Sequence, residues 1–260
     1  TGTGAQAVHV KGSGATITNE TDGIIKADDN IIVFSASDST LTNRGQIISD
    51  DTSGKDEEHA IRVLTGANGS SIHNYGTITT GYKTILIDNS SNDDVTLTNY
   101  SGGTITSYYR QSISITSGVD GFTLNNNEGA TIQTTGTNDG YGIIMDGTTN
   151  TTVVNGGTMS SHINGLRCHN CADVNFTNTG TIETTNSSGG GAGIIITGST
   201  GTNTVINSGE ITSAYNRGLD VSGTSGTTVT NTASGTITAG DDTGLNLAHT
   251  TNAVVTNSGT

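Results

Sequence analysis

Ten asparagines recur along the chain, and each closes the same short phrase. They are Asn19, Asn43, Asn74, Asn99, Asn126, Asn155, Asn178, Asn207, Asn231 and Asn257. Neighbouring members lie 23 to 31 residues apart. A strand-like run leads into each asparagine, and a glycine and an isoleucine generally follow within a few residues. Leu41-Thr42-Asn43-Arg44-Gly45-Gln46-Ile47 and Phe176-Thr177-Asn178-Thr179-Gly180-Thr181-Ile182 are two instances. A self-similar period of roughly 20–50 residues marks a solenoid or array, whose single unit is too small to bury its own apolar side chains.

Each period also carries a second apolar pair, usually behind a glycine or alanine. Ile61/Val63, Ile85/Ile87, Ile143/Met145, Leu166/Cys168, Ile194/Ile196 and Leu219/Val221 are examples. Both segments alternate with period two, the signature of a strand, and nothing sustains a 3.6 period. One unit is therefore three short strands: the apolar pair, the V-x-N strand and the x-I-x strand. Stacking such units pairs every strand with its equivalent above and below and buries a continuous column. The expected fold is all-β, a right-handed parallel β-helix of about ten coils, its hand following the usual crossover rule. It forms a single solenoid over residues 1–260, roughly 50 Å long at about 4.8 Å per coil. One asparagine per coil at the same corner can stack as a structural amide ladder. The glycines that follow are expected to supply positive φ at the bend.

Composition agrees with this shape. Hydrophobic residues make up 30% of the 260 and charged residues 12%, too few apolar side chains for one round core but enough for a thin column. There is no proline, which suits a backbone whose N–H groups are committed to ladders. The formal net charge is −14, from 9 basic and 23 acidic residues. A polyanion would be repelled, so nucleic acid and anionic membrane are excluded as partners. No apolar run approaches the ~18 residues of a membrane helix, so this segment is not expected to insert into a bilayer. The chain opens Thr1-Gly2 and closes Asn257-Ser258-Gly259-Thr260 without a recognisable polar cap. Solenoids need caps, so further coils are expected beyond both ends.

The recurring T-N-x-G-x-I followed by G-I-x-V resembles the passenger domains of bacterial autotransporters and related β-helical surface adhesins, over nearly all of the chain. The resemblance implies an extracellular, cell-surface location in bacteria and a role in adhesion or self-association. It carries no catalytic motif. A structural stalk, or a filament or tail segment, is the alternative that the same coils would serve.

Variation between coils falls on one edge. From the x-I-x isoleucine to the next apolar pair the spacing is 7 residues after Ile78 but 14 after Ile47 and 12 after Ile182. Insertions on one face often mark a binding face. The same turn collects Tyr82, Tyr108, Tyr109, Tyr141 and Tyr215, with Arg110, Arg217, Lys83 and His162 beside them. A row of tyrosines with hydrogen-bonding neighbours suits stacking on a surface glycan or contact with another copy of the rod. The plainer reading is that each tyrosine shields its own turn.

Other chemistries find weaker footing. The longest insertion clusters Asp50, Asp51, Asp56 and Glu57, and clustered loop carboxylates can bind Ca²⁺. It lacks EF-hand spacing, so a solvated loop is expected and no cofactor is assigned. Catalysis on a polysaccharide needs carboxylates close together. The outward column of the apolar-pair strand reads His9, Ile32, Arg62, Leu86, Ser114, Ile144, Arg167, Ile195, Asp220, Asn246, with one acid, so an enzyme is not expected. Thr77-Ile78-Thr79 and Thr104-Ile105-Thr106 suggest an ice-binding array, but Gln133, Ser160 and Glu183 interrupt it. Cys168-His169-Asn170-Cys171 has no second C-x-x-C to complete a zinc site and no βαβ pattern for a redox site. Cys168 should point inward and Cys171 should fall in the next turn, and the two are a candidate disulfide.

Overall fold

A computed structural model describes residues 6–49, 58–88, 93–136, 140–186 and 190–260. Strands of like position pair in parallel and form three sheets of ten, ten and nine strands among the described residues. The first sheet collects the apolar-pair strands, from Val8–Val10 to Leu245–Ala248. The second collects the V-x-N strands, from Thr16–Asn19 to Val254–Asn257, and the third the x-I-x strands, from Ile24–Ala27 to Thr236–Ala239. The chain is thus an all-β parallel β-helix with nine complete turns and two strands of a tenth. No described residue lies in a helix, so among the described residues no helix is long and apolar enough to cross a membrane.

The core is the column that alternation requires. Ile61, Ile85, Ile113, Ile143, Leu166, Ile194 and Leu219 follow one another in register down the first sheet. Leu41, Ile72, Leu97 and Leu124 do the same in the second, and Ile47, Ile78, Ile105 and Ile132 in the third. All of these are fully buried. Each such side chain stabilises the fold by about 1.5–3 kcal/mol through burial, so few per turn suffice. In the second turn Val33, rather than Ile32, takes the outward place, because His9 pairs with Val33 and Val33 with Arg62. Ile32 lies in register with Val8 and Ile61, and points inward.

The asparagine ladder is continuous. Each Nδ2 donates to the Oδ1 of the next asparagine, from Asn19 through to Asn257, at 2.7–2.9 Å. The same nitrogen also donates to a third-sheet carbonyl of the following turn, such as Gln46, Thr77 or Thr158. Asn19 to Asn231 are buried and Asn257 is exposed.

Two of the glycines after the asparagines, Gly102 and Gly129, supply the expected positive φ, at 83° and 77°, but most are needed for a different reason. Gly23, Gly45, Gly76, Gly157, Gly180 and Gly209 are not among the positive-φ residues. Instead, a Cβ at Gly45 would sit 2.2 Å from the carbonyl oxygen of Gly23, and one at Gly180 would sit 2.1 Å from that of Gly157. Successive turns approach too closely there for any side chain. Left-handed backbone lies in the turn between the first and second sheets. Gly118 and Gly121, Gly147 and Asn150, Asn170 and Asp173, and Gly198 and Gly201 fall in pairs three residues apart, with φ between 49° and 87°. Glycine, asparagine and aspartate are the residues that tolerate that region.

Cys168 and Cys171 are joined as a disulfide. Both belong to the core. Cys171 lies in the turn, as expected, but this turn folds its side chain inward, where Sγ faces the Met145 carbonyl at 3.7 Å.

Candidate binding face

The outward column of the first sheet mixes aliphatic and cationic residues. It runs Leu86, Ser114, Ile144, Arg167, Ile195, Asp220 in register from the fourth turn to the ninth. The turn leading into this sheet carries the tyrosines, so ring and sheet face border one another. Of the 9 lysines and arginines in the chain, Arg62, Lys83, Arg110, Arg167 and Arg217 all lie on this face or in that turn. Asp88, Asp146, Asp220 and Asp242 lie on the same side, and several of these cations pair with them.

Tyr82 and Arg110 are brought together across adjacent turns. The Arg110 guanidinium carbon stands 5.5 Å from the Tyr82 ring centroid and Lys83 Nζ stands 5.6 Å from it, both within cation–π reach. The edge of His59 completes the surroundings, with ring centroids 6.2 Å apart and planes at 90°. Tyr82, Lys83, Arg110, Gln111, Ser114 and Ile144 line a hollow of about 430 Å³. Gln111 is buried there, and its Oε1 accepts no hydrogen bond from a described residue. Tyr141, Asn164, Arg167, Ile195, Asn216 and Asp220 line a second hollow of about 520 Å³. Ile144 and Arg167 are register partners, so the two hollows follow one another as a trough. Both volumes fall in the range of about 300–1,000 Å³ typical of small-ligand sites.

The remaining ridge residues are less concentrated. Tyr108 and Tyr215 are exposed at 39% and 37%, and Tyr109 is half-buried. Tyr215 precedes the ninth turn while Tyr141 opens the sixth, so about 14 Å of rod separates them at ~4.8 Å per turn. Arg217 serves a charge network. Its Nη1 donates to Asp220 at 2.7 Å and its Nε to Asp242 at 3.1 Å. The hydrogen bond to Asp220 comes first among the causes that raise the Arg217 pKa above its usual value.

Asp50, Asp51, Asp56 and Glu57 lie outside the described residues. The adjoining Glu58 and His59 are described, and both are buried, contrary to a wholly solvated loop. The Glu58 carboxylate accepts from Ser49 Oγ at 2.8 Å, and His59 Nδ1 meets Asn30 Oδ1 at 2.8 Å. Among the described residues no group of three or more His, Cys, Asp or Glu is placed to hold a metal ion.

A second aromatic feature escaped the sequence reading. Tyr75 and Tyr100 stack with centroids 4.1 Å apart and planes 6° from parallel, and Arg44 caps Tyr75 at 5.6 Å. His73 Nδ1 meets the Tyr100 hydroxyl at 3.3 Å. The Tyr100 pKa is raised, first by its side-chain hydrogen bond with Tyr75 and then by burial. The signal was available: Glu20, Arg44, Tyr75 and Tyr100 each follow a ladder asparagine, so one column holds all four. Comparison with family models, with curated proteins and with solved structures finds no match.

Proposed function

We propose that this chain is a β-helical adhesion module of a bacterial cell surface, similar in kind to autotransporter passenger domains, and that it binds an extended glycan along the outer face of its first sheet. The observation that carries the reading is the trough walled by Tyr82 and Tyr141 and floored by Ser114, Ile144 and Ile195. It spans the fourth to the ninth turn, about 24 Å at ~4.8 Å per turn, which suits a chain of several sugar rings better than one small molecule. Tyrosine rings offer apolar faces to sugar C–H groups while the neighbouring polar groups hydrogen-bond the hydroxyls. Adhesion needs no turnover, so this reading assigns no catalytic residue.

The test is a glycan-binding and aggregation assay on a variant carrying Tyr82→Ala, Tyr108→Ala, Tyr109→Ala and Tyr141→Ala. Glycan binding should fall at least tenfold while far-ultraviolet circular dichroism and melting stay those of the parent. Unchanged binding would remove the trough from consideration. Loss of self-aggregation with no glycan bound by the parent would make the ridge a contact between copies. A parent that neither binds nor aggregates would be a stalk.

A further inference from the structure

We infer that the trough is built for a glycan that carries carboxylate groups, and that Arg167 is the residue that recognises the carboxylate. This inference rests on the glycan-binding reading above. Arg167 sits at the centre of the outward column, in register between Ile144 and Ile195. Its aliphatic neighbours leave the guanidinium without an acidic group beside it in the column. The other arginines of this sheet are matched. Arg62 Nη2 holds Asp88 at 2.7 Å, and Arg217 holds Asp220 and Asp242. Arg167 makes no side-chain hydrogen bond or ion pair with any described residue.

The one acid in the same hollow, Asp220, is already engaged on both oxygens. Oδ2 accepts from Arg217 and Oδ1 from Asn246 Nδ2 at 2.8 Å. It also lies two register steps from Arg167, so about 10 Å away along the rod at ~4.8 Å per step. An unmatched arginine set into a tyrosine-walled hollow, in a chain that has few cations and an excess of acids, is an anion-recognition element. Its planar fork of N–H donors fits a planar carboxylate through two parallel hydrogen bonds. The net charge of −14 opposes densely charged polyanions at long range. An isolated carboxylate among neutral sugars, met by a local cation over an apolar floor, suits that balance, as in glycans that carry single uronic-acid or sialic-acid residues.

The test compares one sugar in two charge states. Binding of an aldobiouronic acid, one uronic acid joined to one neutral sugar, and of its methyl ester is measured by calorimetry on the parent and on Arg167→Gln and Arg167→Lys. The parent should bind the free acid at least tenfold more tightly than the ester. Arg167→Gln should bring that ratio to about one, and Arg167→Lys should leave an intermediate ratio, since it keeps the charge and loses the fork. Sialyllactose against lactose serves as a second acid–neutral pair on the same three proteins. If the parent binds acid and neutral forms equally, the carboxylate assignment to Arg167 is wrong and the glycan reading survives. If no member of either pair binds, while the tyrosine variant above also changes nothing, both readings fall together. An acid preference that Arg167→Gln leaves intact would move recognition to another cation and overturn the role of Arg167.

Discussion

Replacing Asn126 by alanine tests the ladder where it is most enclosed. Asn126 Nδ2 donates to Asn155 Oδ1 at 2.7 Å and to the Thr158 carbonyl at 3.2 Å, and Asn126 Oδ1 accepts from Asn99 Nδ2 at 2.9 Å. Two buried hydrogen bonds and one partly buried one disappear together. Asn99 Nδ2 keeps its carbonyl partners at Gly103 and Thr131, so its loss is partial. Asn155 Oδ1 loses its ladder donor in a buried place. A net hydrogen bond contributes about 1 kcal/mol and a buried group left unsatisfied costs about 1–3 kcal/mol. Asn126→Ala should therefore destabilise by about 3–5 kcal/mol, before any local collapse. Asn257→Ala is the control, because Asn257 is exposed and receives one ladder bond, from Asn231 at 2.8 Å; its cost should stay below about 1 kcal/mol. Asn126→Asp adds a pH signature. A carboxylate cannot donate to Asn155 Oδ1, whereas a protonated carboxyl can, so the folded-state pKa of the new acid is raised above its unfolded value of about 3.9. The variant should be closest to the parent below pH ~4 and lose ground as pH rises through that window. Urea unfolding followed by circular dichroism at several pH values reads all three variants. Equal costs for Asn126→Ala and Asn257→Ala would refute the claim that the ladder holds the corner.

Two further predictions rest on other corners. Gly180→Ala places a Cβ 2.1 Å from the Gly157 carbonyl oxygen, whereas Gly156→Ala meets its nearest atom at 3.3 Å; the first should lower the melting midpoint by many degrees and the second by few, and similar midpoints would mean the turns are not in close contact there. The Asp120 carboxylate accepts from Thr149 Oγ1 at 2.5 Å and from Asn150 Nδ2 at 2.7 Å, and these donors hold its pKa below the usual range. Its stabilisation is present above the unfolded value of about 3.9 and is lost as pH falls through the folded one, so the difference between Asp120→Asn and the parent seen at pH 7 should shrink as pH falls below about 4 in parallel thermal melts.

Much of the fold was legible because a solenoid repeats its instructions. The inward isoleucines and the ten asparagines recur in register, and each repetition confirms the last. The second turn shows the limit of that logic. Ile31-Ile32-Val33-Phe34 is apolar throughout, so alternation gives no phase, and only pairing to His9 and Arg62 sets Val33 outward. The glycines after the asparagines were read as turn residues from their local setting. That holds for Gly102 and Gly129, whose φ is positive, but at Gly45, Gly76, Gly157, Gly180 and Gly209 the deciding distance is to the neighbouring turn, which no local pattern reports. The candidate site was half legible. Its tyrosines were found by their shared turn, but the trough also needs Arg167 and Ile195 from the sheet face, and those carry no motif. The Tyr75–Tyr100 stack was not legible because the two tyrosines lie 25 residues apart in turns of different length, and only the register of the second sheet sets them side by side.

The direction of the hydrogen bonds has a mechanical consequence. The sheet bonds and the amide ladder all link one turn to the next, so both lie roughly along the rod. A pull on the two ends loads them end-on, and only one turn at a time needs to let go. Each turn released frees 23 to 31 residues, on the order of 80–110 Å of extended chain at about 3.3–3.6 Å per residue. If the rod tethers a surface contact as proposed, it would lengthen under load in steps of one turn, giving up length before it gives up grip.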